Sequence, residues 1–252
     1  MLLAIDIGNT NTVFAIVQKS EVKASWRWQT VQGRTSDEYA AFLGSMFALE
    51  GLQWGLVKDV IVSSVVPDSD FQLIKFCRQH LNKKPTFVSA KNVGIKVVID
   101  RPEDVGADRL VNAVAVKTYH KTPAIVIDFG TATTFDVINA KGHYAGGIIA
   151  PGINLSVEAL HRAAAKLPKV SIKKTDKVIG TSTVTAIQSG IYWGYISLIE
   201  GLVTKIAKEM KAKPFVIATG GLAPLFADNT NVIHAVDDEL TLKGLIEIYK
   251  KL

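Results

Sequence analysis

Two stretches of this chain set an aspartate at the end of an apolar run and follow it with glycine and small polar residues: DIGNTNT from Asp6 and DFGTATT from Asp128. A tight turn at Gly8 would gather backbone N–H groups and the hydroxyls of Thr10 and Thr12 above the end of a strand, an array of donors suited to a polyphosphate. Asp6 cannot bind phosphate itself. A carboxylate in that place acts through a divalent ion, usually Mg2+ that keeps several of its waters. In a single copy, Asp6 and Asn9 would read as caps of a turn. The second copy changes the balance, because Asp128, Gly130 and Thr134 recur at a constant offset of 122 from Asp6, Gly8 and Thr12. A Walker loop is excluded, since no glycine-rich run leads into Lys-Ser or Lys-Thr.

A third phrase, DVGADRLVNA, sets Asp108 and Arg109 behind Gly106 at the start of a helical pattern. The positive end of that helix should keep Asp108 ionised, and Arg109 can grip a carboxylate. An ionised aspartate beside a bound alcohol accepts its proton as the alcohol attacks phosphorus. In isolation the same pair reads as an exposed helix start.

The elements that must position these groups alternate between strand and helix periods, which predicts a mixed α/β protein. MLLAIDIG, TVFAIV and VKASWRWQT read as three successive strands. A helix with a Thr35–Glu38 capping box then recurs on Tyr39, Phe42, Leu43, Met46 and Phe47. DVIVSSVVP and PTFVSA read as strands on either side of the helix DSDFQLIKFCRQHLN. There Cys77 is expected on a buried face with Phe71, Ile74 and Leu81. The second half restarts with AIVIDFGTATTFDVI, a hairpin at AKGH, and YAGGIIAPG. The expectation is two similar lobes, 1–117 and 118–252, each opening with paired strands and facing the other across a cleft.

Composition bounds the function. The 252 residues are 48% hydrophobic, enough for a large core or two modest ones. The net charge of +6 comes from scattered lysines, and the densest run, KLPKVSIKKTDK, has no aromatic residue for base stacking, so no nucleic-acid partner is expected. The most apolar late segment, GIYWGYISLI, is too short to span a membrane, and the five residues before Asp6 make a poor signal sequence. With one cysteine and no such signals, a cytoplasmic protein without a membrane role is expected. The five histidines have no zinc-ligand spacing.

DIGNTNT, GADR, DFGTATT, GGIIAPG, GTSTVTAIQSG and TGGLA together resemble the motifs of type III pantothenate kinases over nearly the whole chain. The resemblance implies an actin-like, ribonuclease H-like fold with mixed sheets and ATP in an interdomain cleft. It implies phosphorylation of pantothenate by ATP, the first step of coenzyme A synthesis. By resemblance, Asp6, Ile7, Gly8, Asn9, Thr10, Asn11, Thr12 and Val13 bind ATP phosphates, with Asp6 serving Mg2+, and Thr131 also contacts ATP. Gly106, Ala107, Asp108 and Arg109 hold pantothenate with Thr183, and Asp108 is the proton acceptor. Asp128 takes a monovalent cation, K+ or NH4+. Ile99 stands where many members carry a pocket tyrosine. The family's dimeric state agrees with a stripe of small residues, Ala186, Gly190, Gly194, Ser197 and Gly201, along one predicted helix from Thr183 to Lys211. A related subset with the same fold serves as an accessory factor in transcription. A regulatory ATP-binding protein of that kind would keep the loops without turning over pantothenate.

Overall fold

The computed structural model describes residues 1–164 and 166–252. The chain divides into two compact units, one made of Met1–Thr118 with Leu240–Leu252, the other of Tyr119–Glu239. The sequence division gave all of 118–252 to the second lobe, whereas the last helix packs with the first unit. It lies against the first unit's sheet because Leu242, Leu245, Ile246 and Ile248 need an apolar partner. Its Gly244 also meets the Val111 backbone too closely for any side chain.

In the first unit, β1 (Leu2–Ile7), β2 (Asn11–Gln18) and β3 (Glu21–Gln29) form an antiparallel meander, and β4 (Asp59–Ser64) and β5 (Thr86–Phe87) extend it in parallel on the β1 side. The strand order is β3-β2-β1-β4-β5. Helices α1 (Ser36–Leu49) and α2 (Pro67–Phe76) pack against each other. The capping box at Thr35 is formed in full: its hydroxyl accepts from the Glu38 N–H and the Glu38 carboxylate accepts from the Thr35 N–H. Ser36, Tyr39, Leu43 and Phe47 then face inward at helical spacing. Around them gather Leu3, Ile5, Phe14, Ile16, Val62 and Phe76, each fully buried side chain contributing about 1.5–3 kcal/mol relative to exposure. α2 runs on into a π-helical turn, Cys77–Leu81. Cys77 is buried as expected, but its companions are Leu73, Phe76 and Leu81. Phe71 is 69% exposed, since the helix carries it to the opposite face.

The second unit repeats the pattern. β6 (Ala124–Phe129), β7 (Ala132–Ile138) and β8 (Tyr144–Pro151) form the meander, and β9 (Phe215–Thr219) and β10 (Ala235–Val236) run parallel beyond β6, in the order β10-β9-β6-β7-β8. The AKGH turn is a hairpin in which Gly142 takes the left-handed conformation. Besides α3 (Ala107–Tyr119), α4 (Ile153–Ala163), α5 (Thr183–Met210), α6 (Ala223–Ala227) and α7 (Leu240–Tyr249) complete the chain. α5 lays Tyr192, Tyr195, Ile196, Ile199 and Val203 into the second core. Among the described residues no helix is long and apolar enough to cross a membrane.

Candidate active site

The first loop joins β1 to β2. In the antiparallel ladder Asp6 faces Val13 and Ile7 faces Thr12, and the Gly8 N–H donates to the Asn11 carbonyl at 3.0 Å, closing a turn of four residues. Asn9, Thr10 and Asn11 are exposed. Strand alternation sorts the side chains that follow. Val13 shares the Asp6 face, while Thr12 lies with Ile7 on the core face, 3% exposed. Its hydroxyl bonds to that of Thr30 at 2.9 Å. The expectation that this hydroxyl meets a ligand above the strand is therefore not matched by the geometry: position 12 is already inside the ladder, one residue past the turn.

Asp6 sits in a row that crosses the sheet. Its neighbours in register are Val13, then Arg27 on β3, and on the other side Ser63 on β4. The Asp6 carboxyl is pushed up to about 7, chiefly by burial and further by the charge of Asp108, against the opposing pull of Ser63 and Arg27. The Ser63 hydroxyl, itself fully buried, lies alongside without a hydrogen bond of ordinary geometry among the described residues. Asp108 stands in the first turn of α3, where its Oδ1 accepts from the Arg109 N–H at 2.7 Å. Gly106 leaves room for that carboxylate, because a Cβ there would stand 2.6 Å from Asp108 Oδ1. Burial raises the Asp108 carboxyl against the opposing Arg109 N–H and charge. The helix start alone predicted an unraised carboxylate, and desolvation outweighs it. Ala107 is buried beneath this turn. Sequence reasoning missed Arg27, whose strand VKASWRWQ alternates outward residues so regularly that Arg27 looks like any solvated strand charge. Only its register onto Asp6 sets it apart.

In the second unit Asp128 faces Thr134 and Phe129 faces Thr133, with the Gly130 N–H donating to the Ala132 carbonyl at 3.1 Å. This turn is one residue shorter than the first. The offset between the repeats is thus 122 up to Phe129 and 121 from Thr133 onward, and Thr133 rather than Thr134 is the counterpart of Thr12. Thr134 instead donates to Asp136, a fully buried carboxylate that also accepts from the Tyr144 hydroxyl at 2.9 Å. Gly130 and Thr131 are exposed at the turn. Gly220 of the TGGLA motif closes over Asp128: it takes φ +90°, and a Cβ there would stand 2.9 Å from Asp128 Oδ1 and 2.7 Å from the Phe129 carbonyl.

Thr183 opens α5, capped by Ser182, and borders an open groove of about 760 Å³ with Gly180, Thr181, Ser182, Ala186 and Ile187. Among the described residues no group of three or more His, Cys, Asp or Glu side chains could hold a metal by itself. A divalent ion at Asp6 would thus take its remaining ligands from phosphate and water, as Mg2+ does. The hard carboxylate oxygens of Asp6 fit that ion. At Asp128 a carboxylate and a main-chain carbonyl converge on the side of Gly220, a donor pair that suits a weakly hydrated monovalent cation.

The family model for type III pantothenate kinases matches residues 2–205. A type III pantothenate kinase of Paramagnetospirillum magneticum is 54% identical over 253 residues, covering 100% of this chain and 97% of the relative. One from Rhodospirillum rubrum is 51% identical, covering 100% and 98%. Among solved structures, a Campylobacter jejuni protein named provisionally as a Baf family transcriptional activator aligns with a TM-score of 0.65 at 20% identity, over 99% of this chain and 98% of that one. A Sinorhizobium meliloti protein named provisionally as a 2-dehydro-3-deoxygalactonokinase aligns with a TM-score of 0.63 at 13% identity, over 100% and 97%. These two likenesses show the shared fold of paired mixed sheets. With residues 2–205 matched by the family model and relatives at 54% and 51% identity along its whole length, the chain belongs to the type III pantothenate kinase family.

Proposed function

We propose that this enzyme transfers the γ-phosphoryl group of ATP to the primary hydroxyl of pantothenate, releasing ADP and 4′-phosphopantothenate. Membership of the family supplies the reaction, and the placement of Asp6 beside Asp108 carries its assignment to residues. The pantothenate oxygen attacks the γ-phosphorus, the bond from that phosphorus to the β,γ-bridging oxygen breaks, and Asp108 accepts the hydroxyl proton. Burial makes the Asp108 carboxylate a stronger proton acceptor than an exposed aspartate. Arg109 holds the pantothenate carboxylate, and Gly106, Ala107 and Thr183 shape the rest of that subsite.

The first loop, Asp6 to Val13, binds the ATP phosphates at its exposed turn, Asn9 to Asn11, and family resemblance assigns Thr131 of the second loop to ATP as well. Asp6 would hold Mg2+ through water, where the ion would supply charge neutralisation for the β- and γ-phosphates. Asp128 would hold K+ or NH4+. Mixing enzyme, Mg·ATP and pantothenate and following ADP in wild type and Asp108→Asn tests the assignment. Loss of turnover with ATP binding retained supports it, and equal turnover removes Asp108 from the mechanism.

We also assign a homodimer. Gly190, Gly194 and Gly201 lie on the outward side of α5, and apart from the helix's own adjacent backbone no described atom comes within 4 Å of where their Cβ atoms would stand. Packing of this stripe on the chain's own sheet is thereby disfavoured, and Val178, Ile179 and Val184 add exposed apolar surface nearby. The buried thiol of Cys77 and the use of ATP suit the cytoplasm.

A further inference from the structure

The position that follows the third strand of each unit has the same job by two different means. In the first unit it is Thr30, which comes after Gln29, the register partner of Asn11. Thr30 Oγ1 donates to the Gly8 carbonyl at 2.7 Å, and with its single proton spent there it accepts from Thr12 Oγ1 at 2.9 Å. Its backbone N–H donates to the Thr10 carbonyl at 2.9 Å. One residue thus ties down both sides of the turn between Asp6 and Val13. Trp28, two residues earlier, stacks on Phe42 with ring centroids 4.3 Å apart, which anchors the end of β3 from which Thr30 reaches.

The equivalent position in the second unit follows Pro151, the register partner of Ala132, and is Gly152. There is no hydroxyl to offer, and Thr133, the counterpart of Thr12, has a fully buried hydroxyl without a hydrogen-bond partner among the described residues. The glycine instead lets the main chain itself press on the loop. A Cβ on Gly152 would collide with the Thr131 carbonyl and stand 2.9 Å from the Gly130 carbonyl. This accounts for the final glycine of GGIIAPG, which the assigned chemistry does not use.

We infer that Thr30 is a positioning residue: its hydroxyl fixes the Gly8 carbonyl and the Thr12 side chain, and so holds the first loop's N–H groups in the arrangement that receives the ATP phosphates. The inference rests on the reading of this loop as a phosphate site. Thr30→Val keeps the branched shape and removes the hydroxyl. Its kcat/KM for ATP should fall about tenfold, as expected when a hydrogen bond is lost and its partners are left unpaired. The KM for pantothenate should stay within about twofold, and Thr30→Ser should restore ATP use. Thr12→Val removes one of the two bonds from the other side and should raise the ATP KM about two- to threefold. Wild-type ATP constants in whichever of these valine variants folds, equal loss in Thr30→Ser and Thr30→Val, or parallel loss for both substrates would each overturn the inference. Asp6→Asn separates the two levels. If it too leaves ATP constants unchanged, the phosphate-site reading itself fails; if it impairs ATP use while Thr30→Val does not, only the positioning role fails.

Discussion

Asp6→Asn should abolish a pH dependence of stability that the ligand-free wild type carries. Folding moves the Asp6 carboxyl from 3.8 to about 7, chiefly by desolvation. Between those values the folded state binds more protons than the unfolded state, so stability is full below about pH 4 and is lost as pH rises toward 7. At about 1.4 kcal/mol per pH unit the whole displacement is worth about 4 kcal/mol. Asp6 is only partly shielded by area, so about half of that, roughly 2 kcal/mol, is the expected effect. About two-thirds of it, roughly 1.3 kcal/mol, falls above pH 5, which for a chain of this size corresponds to a Tm lower by about 3–5 °C at pH 8 than at pH 5 from this one group. Asparagine does not titrate, so the variant lacks this contribution, while the similarly raised Asp70 and Asp108 carboxyls act in both proteins. Calorimetry of both proteins at the two pH values, without nucleotide or metal, reads the difference directly. Equal pH slopes in wild type and Asp6→Asn would refute the buried-carboxylate reasoning.

Asp108→Asn keeps the shape of the site and removes the proton acceptor, so kcat should drop about 100-fold or more while ATP binding, followed by nucleotide fluorescence, persists. Activity should require K+ or NH4+ and decline in Na+ alone; equal rates at matched ionic strength would count against the site at Asp128. Gly194→Leu should stabilise an isolated α5 by up to about 1 kcal/mol through helix propensity yet weaken dimerisation and turnover together. Light scattering that finds a fully active wild-type monomer of 27.3 kDa would exclude the dimer.

Local chemistry made most of the fold legible. The capping box at Thr35, the glycine turn at AKGH and the apolar runs of β1, β4 and β6 each declare their element from a few neighbouring residues. Quantities set by register between distant strands were hidden. The repeat looked like a constant offset through Thr134, but one residue fewer in the second turn moved the true counterpart of Thr12 to Thr133. For the same reason Thr30 and Arg27, which reach Asp6 and its loop only through strand pairing, carried no signal in their own neighbourhoods. Phe71 and Leu73 are both apolar and two residues apart, and only helix rotation decides which is buried. The return of Leu240–Leu252 to the first unit likewise depends on tertiary packing. At Asp108 the helix start was readable, but the burial that overrides it was not.

The central claim is pantothenate phosphorylation at the expense of ATP. Its most direct test is ADP release by the purified enzyme in Mg·ATP and K+, measured with and without pantothenate, with the product identified by mass spectrometry and phosphorus NMR. ADP formation should require pantothenate and be equimolar with a phosphomonoester on its primary hydroxyl. ADP formation unaffected by pantothenate, or ATP bound without turnover in its presence, would contradict it.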